Sequence, residues 1–332
     1  MRAIRFHELG EPEVLRLEDL PEPQAGPGEV VVAVHAAGIN YADTRRRRGM
    51  YLEESPLPFV PGSEVAGMVA RVGAGVAGWQ VGAQVMAMVG GGGYAEAAVV
   101  PATNLIPIPD GMSYAEAAAF PVQGLTAYHA LRTSGRLAPG EAVLVHSAAG
   151  GVGTLAVQLA RLMGAGTVFA TASTLAKLEL ARSLGADVTI NYTQEDFAAR
   201  IRDYQRERGA FGVDVVLEAV GGEVLERSLA CLNAFGRLVI FGAASGQITP
   251  VAPARLMRRC QEIIGFYLPV LLTRPELILA GVRALSEYLA AGQLRIIVGA
   301  TYPLEAAAEA HRALEARETS GKVVLQVRDT GA

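Results

Sequence analysis

Residues Ala148–Gly153 read AAGGVG, with β-branched VLVH before them and VGTLAVQLARLMG, apolar at helical spacing, running on through them. Glycines between a strand and a helix let the backbone turn tightly and let a ligand come close. The helix start, expected at about Val152, offers unpaired N–H groups and the positive end of a dipole, which suits a diphosphate. Ala148, Gly150 and Gly153 fill an A-x-G-x-x-G frame around Gly151 and Val152, one residue short of the strict dinucleotide fingerprint. The bland alternative is a glycine-rich helix start that only tightens strand–helix packing; the strand before and helix after favour the ligand.

An NAD site places Asp or Glu about 20 residues beyond the glycines, where it bonds the ribose hydroxyls. Here TVFATASTLAKLE carries no acid where the strand ends, near Thr171–Ser173. A carboxylate there would repel a 2′-phosphate, whereas Ser173 and Lys177 could bond one. The reading is therefore an NADP(H) site with NADPH as cofactor. Lys177 alone would pass for a solvated helix lysine, so the missing acid carries more of the argument.

Such a site needs a parallel sheet behind it. From about Gly124 the text alternates: AVLVH, TVFATA, VTINY, VDVVLEAV and GRLVIFG read as strands, separated by helical stretches of 10–15 residues. The strands are nearly continuous apolar runs, as helices on both faces require. Before this region lie short β-branched runs set off by Gly and Pro, such as EVVVAVHAAGIN and EVAGMVARVG, which predict a sheet-rich, barrel-like domain. The tail from about Phe266 breaks the alternation.

Composition sets the outer limits. With 332 residues, 51% hydrophobic and 19% charged, the chain is globular and long enough for about two domains. A net charge of −4 argues against nucleic acid as the main partner. The two cysteines, Cys231 and Cys260, give no disulfide framework, and with no signal-like start in MRAIRFHELG the expected location is cytoplasmic. Residues 72–95 lack charge but hold eight glycines, which argues for turns rather than a membrane span.

GINYADTRRRRGMY (38–51) and PGSEVAGMVARVG (61–73), taken with the glycine turn, INY (190–192) and GKVVL (321–325), resemble the medium-chain dehydrogenase/reductase superfamily. More narrowly they resemble its zinc-independent quinone oxidoreductase branch, which includes zeta-crystallin. The resemblance implies an α/β chain: a GroES-like catalytic domain over 1–124 and 267–332, and a Rossmann doubly wound domain over 125–266 that binds NADP(H). It also implies a cleft between them and a homodimer, with GRLVIFG and QEIIGFYLPVLL as candidate sheet edges.

Asn40, Tyr51 and Asp43 match catalytic-domain positions of the family. Asn40 would bond the nicotinamide side or the acceptor oxygen, and Tyr51 would donate to the reduced oxygen or merely shield the cleft. Asp43 would be structural, paired with an arginine. Thr126, Phe241 and Gly242 match contacts to the nicotinamide end, and Tyr192 and Arg317 contacts to the ribose phosphate; each has a bland alternative as an ordinary helix or strand-end residue. Zinc-using relatives carry Cys in the position of Asn40 and His in that of Ser63. Neither Asn nor Ser is a usual zinc ligand, two cysteines cannot build a four-cysteine site, and the five histidines lack ligand spacing, so no metal is expected. Without a Lewis acid, reducing an electron-poor acceptor is easier than oxidising an alcohol.

The family often has an aromatic residue two positions after Asp43; here Arg45 opens the run Arg45–Arg48. That run reads as a solvated helix face, or as an anionic-substrate patch for a CoA phosphate or acidic quinone. The expected function is NADPH-dependent, zinc-free reduction of quinones or related enones. The rival readings are an enoyl-thioester (enoyl-CoA) reductase and a non-catalytic NADPH-binding regulatory or RNA-binding protein.

Overall fold

The computed structural model describes residues 1–247 and 249–328. The chain forms two compact units: Met1–Val122 with the chain from Ile296 on, and Gln123–Arg295.

Unit 1 begins with a two-stranded antiparallel ribbon, β1 (Arg2–Arg5) and β2 (Arg16–Asp19). Its main sheet is built from β3 (Glu29–Ile39), β4 (Glu64–Val72), β5 (Gln84–Met88), β6 (Ala97–Pro101) and β7 (Leu105–Pro107). Helix α1 (Tyr41–Arg47) follows β3 directly, and α2 (Tyr114–Ala118) is capped by Ser113 and Glu116 reciprocally. Pro121 then opens α3 (Pro121–His129), which leads into unit 2.

Unit 2 is the expected doubly wound sheet. In chain order it holds β8 (Ala142–Val145), α4 (Gly151–Leu162), β9 (Thr167–Ala172), α5 (Leu175–Ser183), β10 (Val188–Asn191) and α6 (Phe197–Arg206). It continues with β11 (Val213–Glu218), α7 (Glu223–Ala230), β12 (Leu232–Ile240), α8 (Pro253–Met257) and β13 (Glu262–Gly265). All pairings are parallel, in the order β10-β9-β8-β11-β12-β13. That is the 3-2-1-4-5-6 order of dinucleotide-binding sheets, with the switch point between β8 and β11. Leu144, Phe169, Ile190, Val216 and Leu238 are fully buried, because helices cover the sheet. GRLVIFG lies in and just beyond β12, which has a strand on each side, so the edge strands are β10 and β13 and not that segment.

After α9 (Leu268–Leu271) and α10 (Pro275–Ala290) the chain returns to unit 1 through β14 (Val298–Pro303), α11 (Ala307–Glu315) and β15 (Lys322–Gln326). Strand β15 joins β3 antiparallel and β14 parallel.

The compact units divide at 122/123 and 295/296, where the sequence reading places boundaries at 124/125 and 266/267. Residues 267–295 pack on unit 2. Gly281 of α10 lies so close to α3 that a Cβ there would sit 2.5 Å from His129 Nε2, and the Gln158 side chain of α4 bonds both the carbonyl and the N–H of Arg295. The amphipathic α10 reads alike in either domain; only its packing partner tells them apart. Residues 329–332 of the expected catalytic domain lie outside the described residues.

Candidate cofactor and active-site residues

The glycine turn lies at the switch point. After β8, Ser147 takes a left-handed backbone (φ 50°), and its carbonyl accepts the Gly150 N–H at 2.9 Å. Gly150 caps α4, which starts at Gly151, one residue before the expected Val152. The first helical hydrogen bond runs from the Thr154 N–H to the Gly150 carbonyl, so the N–H groups of Gly151, Val152 and Gly153 form the donor-bearing first turn. A Cβ at Gly153 would lie 2.3 Å from the Ser147 carbonyl oxygen, so glycine is what lets α4 sit against the turn. The Ala148 N–H bonds the Thr171 carbonyl, and the buried His146 bridges Thr171 Oγ1 at 2.9 Å and Ser228 Oγ at 2.8 Å. Burial pushes His146 down to about 3, which keeps this brace neutral. The turn is thus held rigidly and presents donors, and its geometry fits a dinucleotide diphosphate.

Strands β9 and β10 bring the expected phosphate readers together. Ala172 pairs with Asn191, and the Tyr192 N–H reaches the Ala172 carbonyl at 3.3 Å, so Tyr192 lies beside the strand end that carries Ser173. Thr174 caps α5 by accepting the Lys177 N–H. Lys177 therefore occupies the first turn of α5, where the dipole disfavours a cation; an anion bound there would relieve the conflict. Phe241 and Gly242 follow β12, with the Phe241 N–H on the Glu218 carbonyl. The Glu218 carboxylate, raised by burial, accepts the N–H groups of Val220 and Gly221 and closes that loop. Thr126 is buried on α3. Arg317 belongs to unit 1, in a left-handed turn (φ 60°) just past α11, whereas Ser173, Lys177 and Tyr192 belong to unit 2.

In unit 1, Asn40 follows β3 and caps the start of α1. Its amide Nδ2 donates to Glu64 Oε1 at 2.9 Å, and Lys322 Nζ donates to its Oδ1 at 2.6 Å. Lys322 also bonds Glu64, whose second oxygen accepts the Val122 N–H at 2.8 Å. A Cβ on Gly38 would lie 2.6 Å from Glu64 Oε1, so the glycine of GIN makes room for that carboxylate.

Asp43 is not paired with an arginine, contrary to expectation. It caps α1 through the Asn40 N–H at 2.8 Å, and accepts from Ser63 Oγ at 3.2 Å and from the Tyr94 hydroxyl at 3.1 Å. Burial raises the Asp43 pKa, opposed by the Asn40 N–H, the charge of Lys322 and Tyr94. The Tyr94 hydroxyl also meets His311 Nε2 at 3.1 Å, and burial, with the charge of Arg47, pushes His311 down to about 3.

Three of the four arginines of the run are engaged by other side chains of unit 1. Arg47 is fully buried and bonds Glu315 at 2.5 Å. Arg48 bonds Glu11 and lies 3.3 Å from Glu315. The Arg46 guanidinium sits 4.5 Å above the ring of Tyr51 and 5.4 Å from that of Phe59, with a bond to Ser55. Tyr51 is therefore held under a cation in its loop. Sequence reasoning gave no role to Lys322, Glu64, Tyr94 or His311. One signal was available: of 29 basic residues only Lys177 and Lys322 are lysines, so the other 27 are arginines.

A GroES-like sheet unit and a Rossmann unit on one chain, with this turn and this GIN-x-x-D corner, define a class. Residues 26–110 match the alcohol dehydrogenase GroES-like domain, and residues 151–278 the zinc-binding dehydrogenase family. The chain is 37% identical to a quinone oxidoreductase of Pseudomonas aeruginosa, covering 98% of this chain and 99% of that one. It is 36% identical to a 2-haloacrylate reductase of a Burkholderia species, over 97% and 98%. A solved quinone oxidoreductase from Thermus thermophilus, also known in complex with NADPH, superposes with a TM-score of 0.86 at 43% identity, covering 98% of this chain and 100% of that one. The chain belongs to the medium-chain dehydrogenase/reductase superfamily, among its quinone oxidoreductase-like members.

The family description implies zinc, and the residues do not fit it. Where a thiolate and an imidazole would bind the ion, Asn40 and Ser63 offer a neutral amide and a hydroxyl, and the Lys322 ammonium already occupies the Asn40 oxygen. Among the described residues no group of three or more His, Cys, Asp or Glu is placed to hold a metal.

Proposed function

We propose that this protein is an NADPH-dependent, zinc-free reductase of quinones and related conjugated acceptors. The observation that carries the reading is the donor-bearing first turn of α4 at the switch point, followed by a β9 end that bears Ser173 and Lys177 and no carboxylate. Relatives named for quinone and haloacrylate reduction, and a neighbour that binds NADPH, support it.

When bound, NADPH supplies a hydride from its nicotinamide ring. Gly151–Gly153 would hold its diphosphate, and Ser173, Lys177 and Tyr192 would read the 2′-phosphate. Thr126, Phe241 and Gly242 orient the nicotinamide end. Asn40 keeps one amide N–H for the acceptor oxygen, which gains negative charge as the hydride arrives. Tyr51 or water supplies the proton that completes the quinol. Asp43 holds the start of α1, and with it Asn40, in place.

The arginine run was the motive for an enoyl-thioester substrate. Three of its members are engaged inside unit 1, which leaves Arg45 as the remaining support for that reading. The protein is further proposed to be a cytoplasmic homodimer, with β13 as a strand edge open to a second copy. The test is oxidation of NADPH and NADH, followed by absorbance, with 1,4-benzoquinone, naphthoquinones, enones and crotonyl-CoA. Fastest turnover is expected for NADPH with a quinone or a simple enone. Preference for crotonyl-CoA would reinstate the thioester reading, and tight NADPH binding without any turnover would point to a non-catalytic role.

A further inference from the structure

The structure assigns Lys322 and Glu64 as positioning residues that fix and polarise the Asn40 carboxamide; this rests on the proposed contact of Asn40 with the acceptor. Three strand ends meet here. Val323 of β15 pairs with Ile39 of β3, which sets Lys322 against Asn40, and β4 starts at Glu64 on the other side of β3. Lys322 is 3% exposed at its side chain and Glu64 is 0% exposed, so both charges are removed from water and held only by each other and by what they bond.

The chemistry of the partners leaves the amide one orientation. An ammonium only donates, so the atom facing Lys322 at 2.6 Å is Oδ1; a carboxylate only accepts, so the atom facing Glu64 at 2.9 Å is Nδ2. A flipped Asn40 would face donor with donor and acceptor with acceptor. The ammonium on Oδ1 also draws electron density from the amide, which strengthens the remaining Nδ2 hydrogen as a donor. That hydrogen is the one assigned above to the reacting oxygen.

The residue type matters too. The chain uses arginine for 27 of its 29 basic residues, yet keeps lysine here. A guanidinium is a broad planar fork, whereas an ammonium is a compact charge that fits between one amide oxygen and one carboxylate.

The test compares Asn40→Ala, Lys322→Met, the paired replacement Glu64→Gln with Lys322→Met, and that pair combined with Asn40→Ala. The pair removes both buried charges together, so it keeps the comparison open if Lys322→Met alone does not fold. We expect the pair to lower kcat about tenfold or more with KM for NADPH changed less than about threefold, and to change kcat less than about twofold once Asn40 is alanine. Losses that multiply in the combined variant would show that Lys322 and Glu64 act independently of Asn40 and would overturn the assignment. An unchanged kcat in Asn40→Ala alone would remove the role of Asn40 in the reaction, and this assignment with it, while leaving NADPH turnover standing.

A readout without activity uses the side-chain amide signals of the four asparagines in 15N-labelled protein, with Asn40→Ala identifying its pair. The Asn40 signals should shift strongly in the paired variant while the other three stay in place. An unmoved Asn40 pair would contradict the assignment by itself.

Discussion

Lys177 has the plainest chemistry to test. It sits in the first turn of α5, where the helix dipole disfavours a cation, and the strand before it ends without an acid. Lys177→Ala should weaken NADPH binding by about 1.5–3 kcal/mol, the worth of a charge-assisted hydrogen bond, or roughly tenfold to a hundredfold in Kd. NADH binding should stay within about twofold. Calorimetric titration with both nucleotides decides it, and equal losses would show that the lysine does not read the phosphate. Asp43 illustrates how a residue type can be right and its partner wrong. GIN-x-x-D marks it, but its bonds run to the Asn40 N–H, to Ser63 and to Tyr94, and Tyr94 is 51 positions away. Nothing in local spacing names such a partner.

At the level of elements, the turn between β8 and α4 depends on a missing side chain. Gly153→Ala would press a Cβ against the Ser147 carbonyl and the backbone of Ala148, neither of which can swing aside. We expect a loss of about 1–3 kcal/mol in the stability of unit 2, of the kind overpacking produces, together with weaker NADPH binding as α4 lifts from the turn. Urea unfolding followed in parallel with NADPH titration measures both. Stability and affinity equal to those of the parent would mean that the close approach is not needed. The strand–helix alternation of unit 2 was legible because each strand is an apolar run and each helix keeps its own period. The end of unit 2 was not: α10 carries an apolar stripe that suits either unit, and only its contact with α3 assigns it. The arginine run shows the same gap. On paper it is a charged helix face, and in the fold Arg47 is buried against Glu315, which lies 268 residues further along the chain.

For the whole molecule, acid should act through histidines. Burial holds His146 and His311 down to about 3 and His129 to about 4, against an ordinary value of 6.5. Each is neutral when folded and takes up a proton when unfolded, so its contribution is complete above about pH 6.5 and is lost as pH falls towards the folded value. Between pH 7.5 and 5.5 each should remove roughly 1.4 kcal/mol, or about 4 kcal/mol for the three together. His129 and His146 lie in unit 2 and His311 in unit 1, where burial also lowers His35, so both units should lose stability. Hydrogen exchange at the two pH values, compared unit by unit, checks this; equal stability at both would show that these imidazoles are not buried neutral. The sequence by itself determined the parallel dinucleotide sheet, the sheet-rich companion unit, the glycine turn and the acid-free strand end on which the NADPH proposal rests, because strand and helix periods and a glycine turn are local and are written in neighbouring residues. Tertiary structure alone decided that Asn40 meets Lys322 and Glu64, 282 and 24 residues away. That meeting follows from the register of three strands, and register is set by how whole faces bury, not by any pair of adjacent residues.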